Sequence, residues 1–265
     1  MIATGHSAPR VRESAFGETP GQWPLPAGQT PEEMWLRAVA AGGQGRYANA
    51  YAELASVRRA HRVGRLASLA HSTHASFLRQ LGWHGLARGW DGRALALAAG
   101  DPEALGDALI GLAADALGVG RFAASAAALR RAEGLLADAP ARTPVRLAWV
   151  SAELAMATGD GAAAVSHAER ACALAAALGS ARHRVKSDVV LAAALCSDGR
   201  LDRSRDVADA ALAITEDHGM IPLSWALTCL LTDIGSGNHS VAHVVDIRDR
   251  SADTVRRRGG VLFDR

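Results

Sequence analysis

Two glycine-rich segments of this chain carry the pattern that binds the pyrophosphate of a dinucleotide. Residues 118–123 and 43–48 both satisfy G-x-G-x-x-(G/A). That chemistry needs a strand before the glycines and a helix N-terminus behind them, so that backbone N–H groups face the phosphates. A helical pattern precedes each segment here, and both belong to a regular series of glycines. We therefore predict that both segments are tight turns between helices.

Metal binding is the second candidate chemistry, because His71 and His74 lie three residues apart on a predicted helix. Two imidazoles on one helix face can supply two ligands to zinc. No third ligand follows at a suitable spacing, and no carboxylate is close in sequence. We predict no metal site and no cofactor, and we keep a metal or hydrolase site at these histidines, completed by spatial neighbours, as the weaker alternative.

Nucleophilic catalysis has no motif in the chain. No nucleophile elbow G-x-S-x-G, P-loop or H-E-x-x-H occurs, and no spacing of Ser, His and Asp encodes a triad. Triads are defined by geometry and not by spacing, so the absence of a motif is weak evidence against catalysis. It favours a protein that is not an enzyme and that has no catalytic residues.

Bulk composition narrows the partners and the compartment. The net charge of +2 is too small for a typical nucleic-acid binder, and no uncharged apolar stretch is long enough to span a membrane. We therefore predict neither specific nucleic-acid binding nor membrane insertion. Three separated cysteines, Cys172, Cys196 and Cys229, indicate reduced thiols in a cytoplasmic protein.

The elements that position any site are predicted to be helices. Alanine supplies 58 of the 265 residues, whereas only 5% are aromatic. Alanine is the best helix former and is depleted in strands. The composition therefore excludes a β-rich fold and predicts an all-α protein.

An internal repeat organises these helices. Six glycines recur at spacings of 37, 38, 39, 40 and 38 residues: Gly45, Gly82, Gly120, Gly159, Gly199 and Gly237. Five positions after each glycine the residue is Ala or Ser, and seven positions before it the residue is Ala in five cases of six. Small side chains at fixed positions let two helices approach closely. Each unit is therefore predicted to be a helix, a glycine turn and a second helix.

Neither helix of such a pair can bury its apolar face alone, so the pairs must stack. We predict a right-handed α-solenoid of about six antiparallel helix pairs with a period of 37–40 residues. Residues 31–258 form this repeat domain, preceded by a mobile N-terminal tail over 1–30 and followed by a C-terminal tail over 259–265. Residues 261–263 are apolar and are expected to dock onto the last repeat.

The turns carry a family resemblance. The pattern Gly-x-(aromatic or Leu)-x-x-(Ala/Ser) occurs at 45–50, 120–125 and 199–204, and it resembles the tetratricopeptide repeat. The period exceeds the usual 34 of that family and is similar to the elongated bacterial repeats in sensor domains of LuxR-type regulators. Repeats 2 and 6 are degenerate, and HEAT-like pairs remain an alternative for the same period.

The resemblance implies where a partner binds, because the first helix of each tetratricopeptide pair lines the concave face. The positions carried over to that face, and predicted to bind a peptide or protein partner, are Trp35, Arg79, Arg146, Trp149, Glu153, Lys186 and Val189. Trp and Arg are enriched at binding centres. The alternative for Trp35 and Trp149 is that they fill gaps between alanine-rich helices.

Chaperone-binding members of the family hold a peptide carboxylate with an Asn- and Lys/Arg-rich clamp. The matching positions here are Val39, Ser76, Ala114, Glu153, Ala193 and Leu231, so that clamp is absent and a chaperone cofactor is disfavoured.

The leading functional hypothesis is a non-enzymatic scaffold or adaptor that binds a protein or peptide segment in the concave groove, in bacterial regulation. The alternative is a sensor domain that binds a small molecule or a signalling peptide. The first repeat is apolar around Met34, Trp35 and Leu36, and the end of a solenoid needs a cover. Either the N-terminal segment or a second copy, in a homodimer, is expected to supply it.

Overall fold

The computed structural model describes residues 7–263, and this part of the chain folds into helices joined by short turns. Thirteen α-helices and one 3-10 turn are present, with no strand among the described residues. The helices are α1 Ser7–Phe16, α2 Pro31–Gly43, α3 Tyr47–Ala60, α4 Arg65–Gln80, α5 His84–Leu97, α6 Pro102–Gly118, α7 Phe122–Glu133, α8 Arg142–Ala157, α9 Gly161–Ala176, α10 Ala181–Ser197, α11 Leu201–Asp217, α12 Ile221–Ile234 and α13 Val241–Arg257. From α2 onward they form six pairs in an all-α solenoid, as predicted.

Five of the six predicted glycine turns are confirmed. The glycines at 45, 82, 120, 159 and 199 all have positive φ, between 72° and 91°, where a side chain is disfavoured. Each lies in the three-residue connection between the helices of one pair. The sixth prediction is wrong by two residues, because Gly235 takes the positive φ of 84° and ends α12. Gly237 lies further along a longer loop, where its N–H donates to Asp209 Oδ2 at 2.8 Å.

The small residues beside the turns are the helix-crossing points. In the first five pairs both positions are fully buried in every case: Ala38, Ala50, Ala75, Ala87, Ala113, Ser125, Ala152, Ala164, Ala192 and Ser204. The shift of the sixth turn explains why the sixth pair differs. Ala242 is exposed, and Thr228, seven positions before Gly235, takes the buried place.

The N-terminal segment differs from the predicted mobile tail. Residues 7–16 form α1, in which Val11 and Ala15 are buried in one cluster with Trp35 and Leu36 of α2. The following segment is held by Gln44, whose amide donates to the carbonyls of Pro20 and Gln22 at 2.8 and 2.9 Å. Apolar residues at a period that suits a single helical face are enough to dock even a short helix. Residues 1–6 of the predicted tail lie outside the described part.

The last pair packs against the first, so the solenoid closes on itself. Val255 of α13 and Ile221 of α12 join the cluster that contains Tyr47 of α3. Arg258 donates from Nη1 to the carbonyl of Gln44 at 2.6 Å, and its own carbonyl accepts from the N–H of Ala48 at 3.0 Å. The concave groove of an open solenoid is therefore a central cavity here.

The C-terminal tail docks on the second repeat, whereas the prediction placed it on the last. Trp83 Nε1 donates to the carbonyl of Val261 at 2.7 Å, and Phe263 N–H donates to the carbonyl of Leu81 at 2.8 Å. The Phe263 ring meets Trp83 edge-on at 4.8 Å. Closure of the ring brings the turn after α4 next to the end of α13, which explains the different docking site.

Candidate functional site

The first helices of all six pairs contribute to the wall of one central cavity of about 480 Å³. A volume of this size is typical of sites for compact ligands. Phe16 of α1 and His84 of α5 complete the wall. The wall combines aromatic rings with arginines and two carboxylates, so it offers both apolar contact and charge.

Six of the seven predicted binding residues line this cavity: Trp35, Arg79, Arg146, Trp149, Glu153 and Lys186. Val189 is placed elsewhere. It packs half-buried against the cluster of Ala192 and Leu212, between α10, α11 and α12. The cavity is lined by the N-terminal ends of α10 and α12, and Ile221 at the start of α12 packs against the first pair. Val189 lies beyond that end of α10.

The two predicted tryptophans, in the first and the fourth pair, each make the same contact with the next pair. Trp35 Nε1 donates to Thr73 Oγ1 at 3.0 Å, and Trp149 Nε1 donates to Ser187 Oγ at 2.8 Å. Each bond joins the first helix of one pair to the first helix of the next. Trp35 is only 3% exposed, so it acts mainly as core and presents one edge to the cavity. Trp149 is half-buried and stacks on His183 at 5.5 Å.

Arg79 is held by two carboxylates that have no exposed surface. It pairs with Asp91 and Asp115, the latter at 2.9 Å, and Ser72 Oγ donates to Asp91 Oδ1 at 2.9 Å. Burial raises the pKa of Asp91 to about 7 against the attraction of Arg79. Because this arginine is fully engaged, it contributes structure more than free charge to the cavity.

Asp107 is the anion of a second cluster. It accepts from Arg142 at 2.5 Å and from Arg146, and these two guanidinium groups hold its pKa below the ordinary value although burial opposes ionisation. Arg142 has a second partner, Glu103, at 2.8 Å. Glu103 also accepts from Arg65 at 2.8 Å, so its charge is divided.

Arg182 and His183 form the part of the wall where α10 begins. Arg182 makes no hydrogen bond or ion pair with any residue in the range 7–263. Burial, together with Arg146 and Arg142, lowers its pKa, whereas Tyr47 acts in the opposite direction. Burial and the same arginines lower the pKa of His183 to about 3, so the imidazole is neutral. The local potential is therefore positive.

Lys186 and Glu153 form a looser pair at 3.5 Å, with about one third of each side chain exposed. A pair with this exposure contributes little to stability. Both groups can therefore turn toward a bound ligand at small cost.

Sequence reasoning did not assign Phe16, Arg142, Arg182, His183 or Trp225 to the site, although all five line the cavity. Trp225 carries a usable signal, because it stands 38 residues after Ser187 and 76 after Trp149. No comparable signal marks Phe16, whose helix lies outside the repeats. The arginine and histidine at the start of α10 follow from the closure of the ring.

The other candidate chemistries occupy structural positions. His71 Nδ1 contacts the carbonyl of Ala67 at 2.7 Å, and His74 stacks on Trp90 at 3.8 Å. The described residues contain no group of three or more His, Cys, Asp or Glu placed to hold a metal ion. Within the same range, no helix is both long and apolar enough to pass through a bilayer.

The fold is similar to that of a solved Rap protein in complex with Competence and Sporulation Factor. The TM-score is 0.65 at 15% sequence identity, and the match covers 88% of this chain and 68% of the Rap chain. At this identity the likeness concerns the helical-repeat fold. No protein-family model matches the chain, and no curated protein matches it.

Proposed function

We propose that this chain is a non-enzymatic regulatory module that binds a short peptide in its central cavity. The observation that carries the proposal is the cavity itself, to which the first helix of every pair contributes. A ligand held there contacts all six repeats at once, so binding is coupled to the packing of the whole ring. The structural neighbour, a Rap protein solved with Competence and Sporulation Factor, supports a ligand-dependent role for this fold.

Closure of the ring favours a compact ligand over the surface of a folded partner. A volume of about 480 Å³ is within the range of small-molecule and cofactor sites, whereas a stable protein interface needs roughly 800 Å² from each partner. Closure therefore favours the sensor hypothesis over the scaffold hypothesis, and a small molecule is the second candidate ligand. A cytoplasmic location, suggested by the three free cysteines, belongs to the same proposal.

Thermal unfolding in the presence of randomised pentapeptide pools tests the proposal. A ligand at 100 times its Kd stabilises the native state by about 2.7 kcal/mol, which for a protein of this size raises Tm by roughly 5–10 °C. Trp149→Ala should abolish the shift, because it removes an aromatic wall of the cavity. Trp23→Ala is the matched control, since Trp23 lies outside the cavity and contacts Arg46. Equal shifts in both variants, or none in the wild type, contradict peptide binding.

A further inference from the structure

The positive side chains around the cavity are not all paired with carboxylates. Arg79 has two buried carboxylates of its own, and Lys186 has Glu153. Of the remaining three arginines, Arg142 and Arg146 share Asp107 and Arg142 also pairs with Glu103, whereas Arg182 has no ion pair with any described residue. A positive excess therefore lies where α8 and α10 begin.

Arg182 carries most of that excess. The charged or ionisable groups that act on it are Tyr47, Arg146 and Arg142, and Arg182 itself pairs with no carboxylate among the described residues. Its side chain passes Gly43 so closely that a Cβ at that position would lie 3.3 Å from Arg182 Cδ and Nε. The stem is thus fixed against α2, and the guanidinium belongs to the cavity wall. An unpaired cation that is partly removed from water is costly unless an anion joins it.

Apolar side chains line the same cavity as this cation. Leu223 and Trp225 of α12 and Trp149 of α8 line the same cavity. An anion that binds here is therefore placed beside aromatic and aliphatic surfaces. A single carboxylate on an otherwise apolar body fits this environment better than a highly charged ligand.

We propose that the peptide carries a carboxylate that pairs with Arg182 and Arg146, with its apolar residues against Trp149 and Trp225. This inference rests on the proposed function and deepens it. The arginine fork matches the two oxygens of a carboxylate. The carboxylate comes from the peptide C-terminus or from an acidic side chain, and the experiment separates these sources.

Three pools of pentapeptides serve as probes. The first has a free C-terminal carboxylate, the second is amidated and contains one Glu, and the third is amidated and neutral. All remaining positions in the three pools are apolar. Binding is measured by tryptophan fluorescence on the full chain. At least one acidic pool should bind about tenfold to hundredfold more tightly than the neutral pool, as for the gain of a charged hydrogen bond. Arg182→Gln should remove this preference, and Arg182→Lys should retain part of it.

Arg184→Gln is the matched control, because Arg184 is on the same helix but pairs with Glu18 at the surface. It should leave the preference unchanged, and circular dichroism checks that each variant is folded. Equal binding of the neutral and acidic pools overturns the carboxylate pairing while leaving peptide binding intact. Binding of no pool overturns both. A preference for acidic pools that survives Arg182→Gln also overturns the assignment to Arg182.

Discussion

His183 provides a test of the burial and the positive charge that surround it in the cavity wall. Its ring lies between Trp149 at 5.5 Å and Phe16 at 6.0 Å, and its Nδ1 is 2.9 Å from Ser180 Oγ. The side chain is buried, and desolvation together with Arg182, Arg142 and Arg146 lowers its pKa to about 3. In the unfolded chain the pKa of histidine is about 6.5.

The sign of the pH effect follows from this difference. Between pH 6.5 and 3 the unfolded state binds a proton at His183 that the native state does not bind. The free energy of unfolding therefore falls as the pH falls below 6.5, and the contribution of His183 is fully present above that value. Each pH unit over which only the unfolded state is protonated lowers the free energy of unfolding by about 1.4 kcal/mol. After allowing for partial titration near 6.5, His183 should cost the protein about 2 kcal/mol between pH 6.5 and pH 4.5.

Urea unfolding of the wild type and of His183→Phe at pH 6.5, 5.5 and 4.5 measures this cost. The phenyl ring keeps the aromatic contacts but cannot titrate, so the variant should gain about 2 kcal/mol relative to the wild type as the pH falls. Burial also lowers the pKa of His71 and His74, but these residues titrate in both proteins and cancel in the difference. His183→Asn should show the same trend. If the two stability curves run parallel, burial and the neighbouring arginines do not lower the pKa of His183 as inferred.

Three further predictions concern the frame of the ring, and urea or thermal unfolding checks each of them. Ala164→Leu should destabilise the protein by about 1–3 kcal/mol, because it overpacks a helix crossing. Ala162→Leu, on the exposed face, should change the free energy of unfolding by less than about 0.5 kcal/mol. Equal effects of the two substitutions would contradict the role of Ala164 at the crossing. Arg79→Met should cost about 3–5 kcal/mol by leaving two buried carboxylates unpaired, against at most about 1 kcal/mol for Arg203→Met in an exposed pair. Ending the chain at Gly260 should cost about 1–3 kcal/mol through lost apolar contact and two hydrogen bonds, and an unchanged Tm would show that the tail does not help to close the ring.

The helix pairs were predictable because their signals are local. The glycine with positive φ and the small residue five positions later both belong to one turn and the helix crossing beside it. The spacing of the glycines was therefore enough to locate five pairs. The start of the third pair also has a local signal, since Asp101 caps the N–H of Ala104 at 2.9 Å and Pro102 opens the helix. Gly237 failed as a marker because a six-residue loop replaces the usual turn, and the sequence pattern does not distinguish it from Gly235.

The site was only partly predictable because closure of the ring is a sum of many small angles between repeats. The concave positions of the early repeats, such as Arg79 and Trp149, follow from helical periodicity. Val189 was misplaced and Arg182 was missed because the cavity shifts toward the helix N-termini in the last two pairs. Helix α1 was missed for a different reason, since it docks through a few apolar residues in a segment rich in Pro and Gly.

The architecture explains why so few residues carry the chemistry of this protein. Alanines at the crossings bring the helices close and leave the cavity wall to the large side chains of the first helices. Most of the charges there are matched within the chain, as Arg79 is by Asp91 and Asp115. A half-buried arginine beside two others is unfavourable for stability, because desolvation and like-charge repulsion both oppose it. The position of Arg182 in this wall therefore fits the proposal that an anion arrives with the ligand.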